Sequence, residues 1–479
     1  MSDETDSFRP VFQTAAELDG ATLEVERVRG TQALSGLYEF TVVVRHDEDG
    51  GLDDDVIDDL LVRPARLGLV FGNVFGIVRR IEMLPMTALR PTFYEITLVP
   101  KLWRLTLVRR SRVFQNMSHL DAVKAVLAQH GLDDARHLED RTEETYPAHE
   151  YVVQYQETDL DFVRRLLAYN GIHYRFVHEE SSERLVLGDR NASFDALPIS
   201  AHELQYDPHG EAPDDGMPRI SALRRVREPR VRSVVVRDYN WRTPQHPVRA
   251  EERADETGYG FADFYGEHVR DNEQAARLAG VRAHELLVDR DTFVGRTGLR
   301  SVRPGTYFDM VGHPNDALNQ RYLVLATEER AEAQSYVNEF RAIPFAAEYR
   351  PPRELPWPRV DGLLTAIVDG DEHRSATPID AAGQYRVVLP FDETAAAGGS
   401  ASRWVRRAQP SAGGGFGMHF PLHIGTEVAV ACVNGDPDRP VIVGAVPNAA
   451  TPSPVVGTNA VQNRIRTGSG IVLELDDDC

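Results

Sequence analysis

Short runs that alternate apolar and polar side chains, rich in β-branched and aromatic residues, fill the first part of the chain. LYEFTVVV (Leu37–Val44), ARLGLVFG (Ala65–Gly72), FYEITLVP (Phe93–Pro100), IHYRFVHE (Ile172–Glu179) and ERLVLGD (Glu183–Asp189) have the composition and period of strands. The last two flank the polar stretch EESSE, which suits a hairpin.

The period changes to that of a helix in three places. Ser118 opens SHLDAVKAVLAQHG. Asp121 stands three residues on, Leu120, Val123, Val126 and Leu127 share one face, and Gly131 ends the run. Thr158 opens TDLDFVRRLLAYNG in the same way, with Asp161 near its start, the stripe Leu160, Val163, Leu166 and Leu167, and Asn170-Gly171 as the stop. A third helix is expected over Asn272–Val288.

Between about 355 and 450 the pattern shortens to GLLTAIV, QYRVVLP, RWVRRAQP, TEVAVACV and PVIVGAV. Five short strands in so few residues point to a small closed barrel of the OB type. In TEVAVACV the valines and Cys432 alternate with Glu and Ala, as in a half-buried strand. Asn434-Gly435 and Asp436-Pro437 supply turn chemistry, and Pro440 suits the first position of the next strand. The tail, RIRTGSGIVLELDDD, turns at Gly-Ser-Gly and then alternates strictly. Ile471, Leu473 and Leu475 fall on one face, and Val472, Glu474 and Asp476 on the other. A lone strand pair has little to pack its apolar face against.

Three Pro-rich stretches, Pro208–Pro218, Arg350–Arg359 and Pro447–Thr458, interrupt strands and helices. They suggest a β-rich N-terminal region over 1–350, the barrel over 355–450 and a distinct tail over 455–479. That agrees with the roughly three domains that 479 residues allow. The class is mainly β with a few helices.

The formal net charge of −21 opposes nucleic acid and anionic membranes unless cations cluster. The clearest cationic motif is SRWVRR (Ser402–Arg407). It lies in a barrel region where acids outnumber arginines ten to seven, so no nucleic-acid partner is expected. The N-terminus MSDETDSFRP is acidic and has no apolar core of a secretory signal. No apolar run approaches the about 20 residues of a membrane span. Two cysteines, Cys432 and Cys479, do not make a disulfide scaffold, and Cys432 reads as a small buried hydrophobe.

Candidate chemistry is sparse. GGGFG (Gly413–Gly417) matches no phosphate-loop or dinucleotide pattern and reads as a loop of the barrel. His419 and His423 have a metal-pair spacing, but Pro421 between them argues against the helix that spacing needs. DDDVIDD (Asp53–Asp59) reads as a solvated acidic segment, and Asp159 and Asp161 as helix-start carboxylates. No nucleophile elbow or Ser/His/Asp set is visible. No catalytic residue, cofactor or metal is assigned, and the chain is not expected to be an enzyme.

LSGLYEFTV (Leu34–Val42), FGIVRRIE (Phe75–Glu82), YEITLVPKLWRLTLVRRSRVFQN (Tyr94–Asn116) and QYQETDLDFVRRLLAYNGIHYRF (Gln154–Phe176), followed by RWVRRAQPSAGGGFGMHFPLHIGTEV (Arg403–Val428) and NGDPDRPVIVGAVPN (Asn434–Asn448), resemble in content and order the VgrG spike family of type VI secretion. That family is related to contractile phage baseplate hubs and spikes. The resemblance implies a phage-hub-like region to about 350 that trimerises and offers a pseudo-sixfold ring to a hexameric inner tube. It further implies an OB-fold spike domain and then the start of a triple-stranded β-helix needle. On this basis Ile471, Leu473 and Leu475 are the expected trimer-interface residues. The partners implied are two further copies, the tube and baseplate proteins, a tip-capping protein and effectors, with a membrane met only by puncture. Such proteins assemble in the cytoplasm and leave with the contracting machine. Needles of this kind continue for many strands, whereas this chain stops at Cys479. The alternatives are a spike of an extracellular contractile particle or phage tail, or a spike with an enzymatic effector activity, which would require a further domain.

Overall fold

The computed structural model describes residues 10–14, 23–47, 51–69, 72–85, 91–179, 181–199, 202–208, 219–332, 335–371, 373, 377–395 and 398–477. Cys479, Glu180 of the EESSE turn and most of the Pro208–Pro218 stretch lie outside the described residues. The chain forms two compact units. The first is Met1–Val108, Val123–Tyr146 and Val163–Leu355; the second is Arg109–Ala122, Pro147–Phe162 and Pro356–Cys479.

Within the first unit, alternation builds two barrels. The first uses β1 (Val11–Thr14), β2 (Glu24–Ala33), β3 (Glu39–His46), β4 (Pro64–Leu69), β5 (Gly72–Met83) and β6 (Thr92–Val99). The pairings β1–β2, β2–β3, β3–β6, β6–β5, β5–β4 and β4–β1 are all antiparallel and close the ring. The second barrel uses β7 (Glu203–Tyr206), β8 (Arg219–Arg227), β9 (Asp291–Thr297), β10 (Thr306–Val311), β11 (Arg321–Glu332) and β12 (Ser335–Pro344). Its ring, β7–β8, β8–β9, β9–β12, β12–β11, β11–β10 and β10–β7, repeats the first strand for strand. The difference lies in β7, which pairs in parallel with both neighbours, whereas β1 is antiparallel to both. Strands β2 and β11 pair over Arg27–Ala33 and Ala326–Glu332 and join the two rings in one sheet.

Each ring encloses its own core, because the inward side of every strand is apolar. Phe40, Val42, Val44, Leu67, Val74, Val78, Ile96 and Leu98 fill the first. Ile220, Phe293, Phe308, Met310, Tyr322, Val324, Phe340 and Ala342 fill the second. At Gly30 and Gly295 the strand backbone lies under an aromatic ring. A Cβ there would stand 2.2 Å from Phe40 Cε1 and 2.3 Å from Phe340 Cζ, and both contacts are direct cross-strand pairs.

Four helices decorate these sheets among the described residues: α1 (Asp54–Leu60), α2 (His119–Gln129), α3 (Asp159–Asn170) and α4 (Asn272–Leu287). DDDVIDD, expected to be a solvated acidic segment, is solvated on its acidic side and forms helix α1. Its acids stay largely outside, but Val56 and Leu60 are buried on one face. The capping signals of α2 and α3 perform as their sequence implies. Ser118 Oγ accepts the Asp121 N–H at 3.1 Å and donates to Asp121 Oδ2 at 2.7 Å. Thr158 and Asp161 repeat the exchange at 3.0 and 2.7 Å. Gly131 and Gly171 close the helices with φ of +67° and +73°. All eight stripe residues of the two helices are buried. Helix α4 starts at the Asp271 cap, which accepts the Gln274 N–H at 2.9 Å. A three-stranded sheet, Ser233–Asp238 between Val248–Arg253 and Phe261–Tyr265, completes this unit's larger features.

The second unit is built around the expected small barrel. Strands β13 (Leu363–Asp369), β14 (Arg386–Val388), β15 (Arg406–Arg407), β16 (Glu427–Cys432) and β17 (Pro440–Ala445) take the order β14-β13-β16-β17-β15. The Tyr385–Val405 bridge, with N–H···O distances of 3.0 and 2.7 Å, links β14 to β15 and closes the ring. Val428 and Val430 point inward, and Cys432 at the strand end is half-buried. Tyr151 and Val153 of the strand Val152–Thr158 region belong to the same core.

Candidate functional site: the terminal hairpin

After the barrel, β18 (Gln462–Arg466) and β19 (Val472–Asp476) form a separate two-stranded hairpin. The turn is closed by Gly470 N–H to Thr467 O at 3.0 Å, with Gly470 at φ +93°. That backbone region favours glycine. The register pairs Asn463 with Leu475, Arg464 with Glu474 and Ile465 with Leu473.

Because faces alternate, Ile465, Ile471, Leu473 and Leu475 share one side. Arg464, Glu474, Gln462 and Asp476 share the other. The polar side satisfies itself: Arg464 Nε meets Glu474 Oε2 at 2.7 Å, and Gln462 Nε2 reaches Glu474 and Asp476 at 3.3 Å. The apolar side is bare within this chain, with Ile471, Leu473 and Leu475 exposed to 71, 59 and 63%. The three residues singled out from alternation thus stand together on one open face.

A second apolar surface reads in the sequence only as a loop. Gly413–Gly417 is the tip of a tight reversal in which Gly413 N–H bonds Phe416 O at 2.8 Å and Met418 N–H bonds Ser411 O at 2.9 Å. Phe416, Met418 and Phe420 all face solvent. Their every-second-residue spacing, on a short segment between polar and glycine residues, was the available signal.

The other motifs resolve into packing. His419 engages Tyr385 Oη through Nε2 at 3.1 Å and Gln409 Nε2 through Nδ1 at 3.0 Å, and no helix spans Met418–His423. In SRWVRR, Arg386 stacks 4.7 Å over the Trp404 ring, Arg403 pairs with Glu150 at 3.7 Å and Arg407 donates to Phe420 O. Trp404, Arg403 and Arg407 are thereby held by the protein itself. Burial pushes the Cys432 thiol up to about 11, away from the reactive thiolate.

One titratable cluster stands out in the first unit. Glu183 accepts the Tyr38 hydroxyl at 2.7 Å and the Lys101 N–H. Burial pushes its carboxyl up to about 7, and those two hydrogen bonds hold it from rising further. His178 accepts the Phe75 N–H on Nδ1 at 3.2 Å and is held well below its usual range by burial.

Comparison with known proteins matches residues 31–335 to the phage tail baseplate hub (GPD) family. Residues 377–446 match the type VI secretion system/phage-baseplate injector OB domain. Two Pseudomonas aeruginosa type VI secretion system spike proteins are similar along nearly the whole chain. VgrG1b is 30% identical over 94% of this chain and 62% of its own length. VgrG1a is 31% identical over 96% of this chain and 73% of its own. The chain therefore spans about three fifths of the length of the first relative. Among solved structures, an Escherichia coli component of the type VI secretion system, itself similar to the phage T4 tail proteins gp27 and gp5, aligns with a TM-score of 0.68 at 21% identity. The alignment covers 91% of this chain and 99% of that one. The chain belongs to the phage tail baseplate hub family and, within it, to the VgrG spike proteins of type VI secretion systems.

Proposed function

We propose that three copies of this chain form the hub and spike at the tip of a type VI secretion machine. The observation that carries this reading is the pair of barrels with one topology in a single chain. Three copies present six barrels of one strand order, the number needed to seat a hexameric inner tube, so a threefold assembly offers a pseudo-sixfold ring. In this reading residues 1–350 are the hub, 355–450 the OB-fold collar of the spike and 455–479 the first strands of a triple-stranded β-helix. Ile471, Leu473 and Leu475 turn inward against the same face of two neighbours. The ion-paired face of the hairpin then remains on the outside, where charged pairs keep their hydration.

The machine assembles in the cytoplasm, and contraction drives the spike through a target envelope. The tube, baseplate proteins, a tip-capping protein and effectors are its partners. The role is mechanical, with no turnover by these residues. Light scattering on the purified chain, followed by electron microscopy with its tube protein, tests this. A particle of three chain masses whose wider end carries six barrel densities is expected. A stable monomer at high concentration, or a complex that engages the tube through the small barrel, would overturn it.

A further inference from the structure

A cavity of about 260 Å³ lies against the first barrel. Arg66 of β4, Lys101 just after β6, Ser181 and Ser182 of the turn after residue 178, Thr14 of β1 and the bare backbone of Gly76 on β5 line it. In a chain where acids outnumber bases 74 to 53, surface cations normally find carboxylates. Among the described residues neither the Arg66 guanidinium nor the Lys101 ammonium forms an ion pair, although Glu183 lies near Lys101. Arg66 Nε is buried with no hydrogen-bond acceptor, which leaves a guanidinium fork with donors unused.

Lys101 is held in place by an imidazole. Its Nζ lies 3.0 Å from His137 Nε2. His137 Nδ1 lies 2.7 Å from Asp134 Oδ1, which also accepts the Arg136 and His137 N–H groups at 3.0 Å. Those bonds, together with the His137 ring, hold the Asp134 carboxyl low although its desolvation opposes them. The carboxylate places the imidazole proton on Nδ1, so Nε2 offers its lone pair to Lys101. The ammonium has two further N–H donors.

At Gly76 the wall is backbone because β5 is packed tightly there: a Cβ would meet Val99 O at 2.4 Å and Tyr38 Oη at 2.9 Å. The cavity's size is just under the about 300–1,000 Å³ of sites that take larger ligands.

The geometry points to a binding site for a small oxyanion, a phosphate group either free or carried on a phosphomonoester, held by Arg66 and Lys101 with the hydroxyls of Ser181 and Ser182. A planar fork, an ammonium and hydroxyls lining one cavity are the donors such a group takes. Behind the wall, the Tyr38 hydroxyl separates the cavity's Gly76 from Glu183. The charged and titratable groups around Glu183 are Tyr38, Lys101 and Arg104, with His178 on the far side of Phe75. An ionised Glu183 opposes an anion in the cavity, and a protonated one does not.

Calorimetric titration of the full chain with inorganic phosphate and with phenyl phosphate tests the site. Saturable binding is expected, weakened about tenfold or more in Arg66→Gln and in Lys101→Met, and partly restored in Arg66→Lys. Thermal unfolding without anion reports whether each variant is folded. Tighter binding of phenyl phosphate assigns the site to an ester; equal binding assigns it to the free anion. Sulfate, whose charge does not change near neutrality, should bind more tightly as pH falls through about 7, and Glu183→Gln should flatten that dependence. No saturable heat at millimolar anion, or binding unchanged in both folded Arg66→Gln and Lys101→Met, would overturn the proposal.

Discussion

The carboxylate of Asp438 accepts the backbone N–H of Val153 at 2.6 Å, a bond between residues 285 positions apart that is buried in the second unit. Asp438 sits in the turn between β16 and β17. Val153 shares a core with Val428, Val430 and Ile442. A buried N–H that loses its acceptor costs about 1–3 kcal/mol. Asp438→Ala is therefore expected to lower the stability of this unit by that amount. Trp357 and Trp404, both in the unit, report its unfolding in urea by fluorescence. An unchanged midpoint would show that water replaces the carboxylate.

The two Gly–Phe pairs give a prediction with a built-in opposite. Phe40 and Phe340 are fully buried over Gly30 and Gly295. A methyl group at either glycine must push a packed ring aside, and overpacking of this kind costs about 1–3 kcal/mol. Gly280, inside α4, has nothing within 4 Å of where its Cβ would stand, and an alanine there gains about 0.5–1 kcal/mol of helix propensity. In thermal unfolding, Gly30→Ala and Gly295→Ala should melt lower than the parent, and Gly280→Ala should melt higher.

Local rules in the chain reach as far as local physics does. The caps at Ser118 and Thr158, the stops at Gly131 and Gly171, the five small-barrel strands and the apolar face of Ile471, Leu473 and Leu475 follow from near neighbours, and they are where the sequence places them. The ring closures follow from contacts between distant strands, such as Val11 with Glu24 and Gly68, or Tyr385 with Val405. Nothing in the alternation of β1 or β7 announces them. The repeat of one topology in β1–β6 and β7–β12 is likewise invisible, because only strand order and burial are repeated. Helix α1 leaves no clear pattern in the sequence because five aspartates in seven residues mask an i, i+4 pair, Val56 and Leu60. The cavity by Arg66 and Lys101 joins five separate segments and leaves no mark in any of them.

Glu183 makes the first unit's stability depend on pH in a definite direction. Its carboxyl is raised by burial to about 7 in the folded chain, against an ordinary value of about 4.3. The neutral form is therefore the one the fold favours. This contribution is fully present below about pH 4.3 and is lost as pH rises through about 7, at about 1.4 kcal/mol per unit. Glu183→Gln keeps a neutral group that still accepts from Lys101 and Tyr38. Between about pH 5 and pH 8 its unfolding free energy should gain about 2–3 kcal/mol relative to the parent. Urea titrations at both pH values measure the gap, and parallel profiles for the two chains would place the shift elsewhere.

The terminal hairpin tests which part holds the assembly. Burying Ile471, Leu473 and Leu475 against neighbouring copies yields about 1.5–3 kcal/mol each. Ordering the backbone costs about 1–2 kcal/mol per residue over residues 465–475. Cross-strand bonds within each hairpin offset part of that before any neighbour arrives, yet an isolated two-stranded hairpin is only marginal. In the proposed trimer the hairpin is therefore expected to follow an assembly made by the hub barrels rather than to create it. Deleting residues 456–479 should leave a particle of three shortened chains by light scattering. Leu473→Asp in the full chain should leave the same stoichiometry while exposing residues 462–476 to protease, since a charge on the shared face opposes closure of the three hairpins. Dissociation to monomers in the deletion would reverse the order and make the tail the clamp.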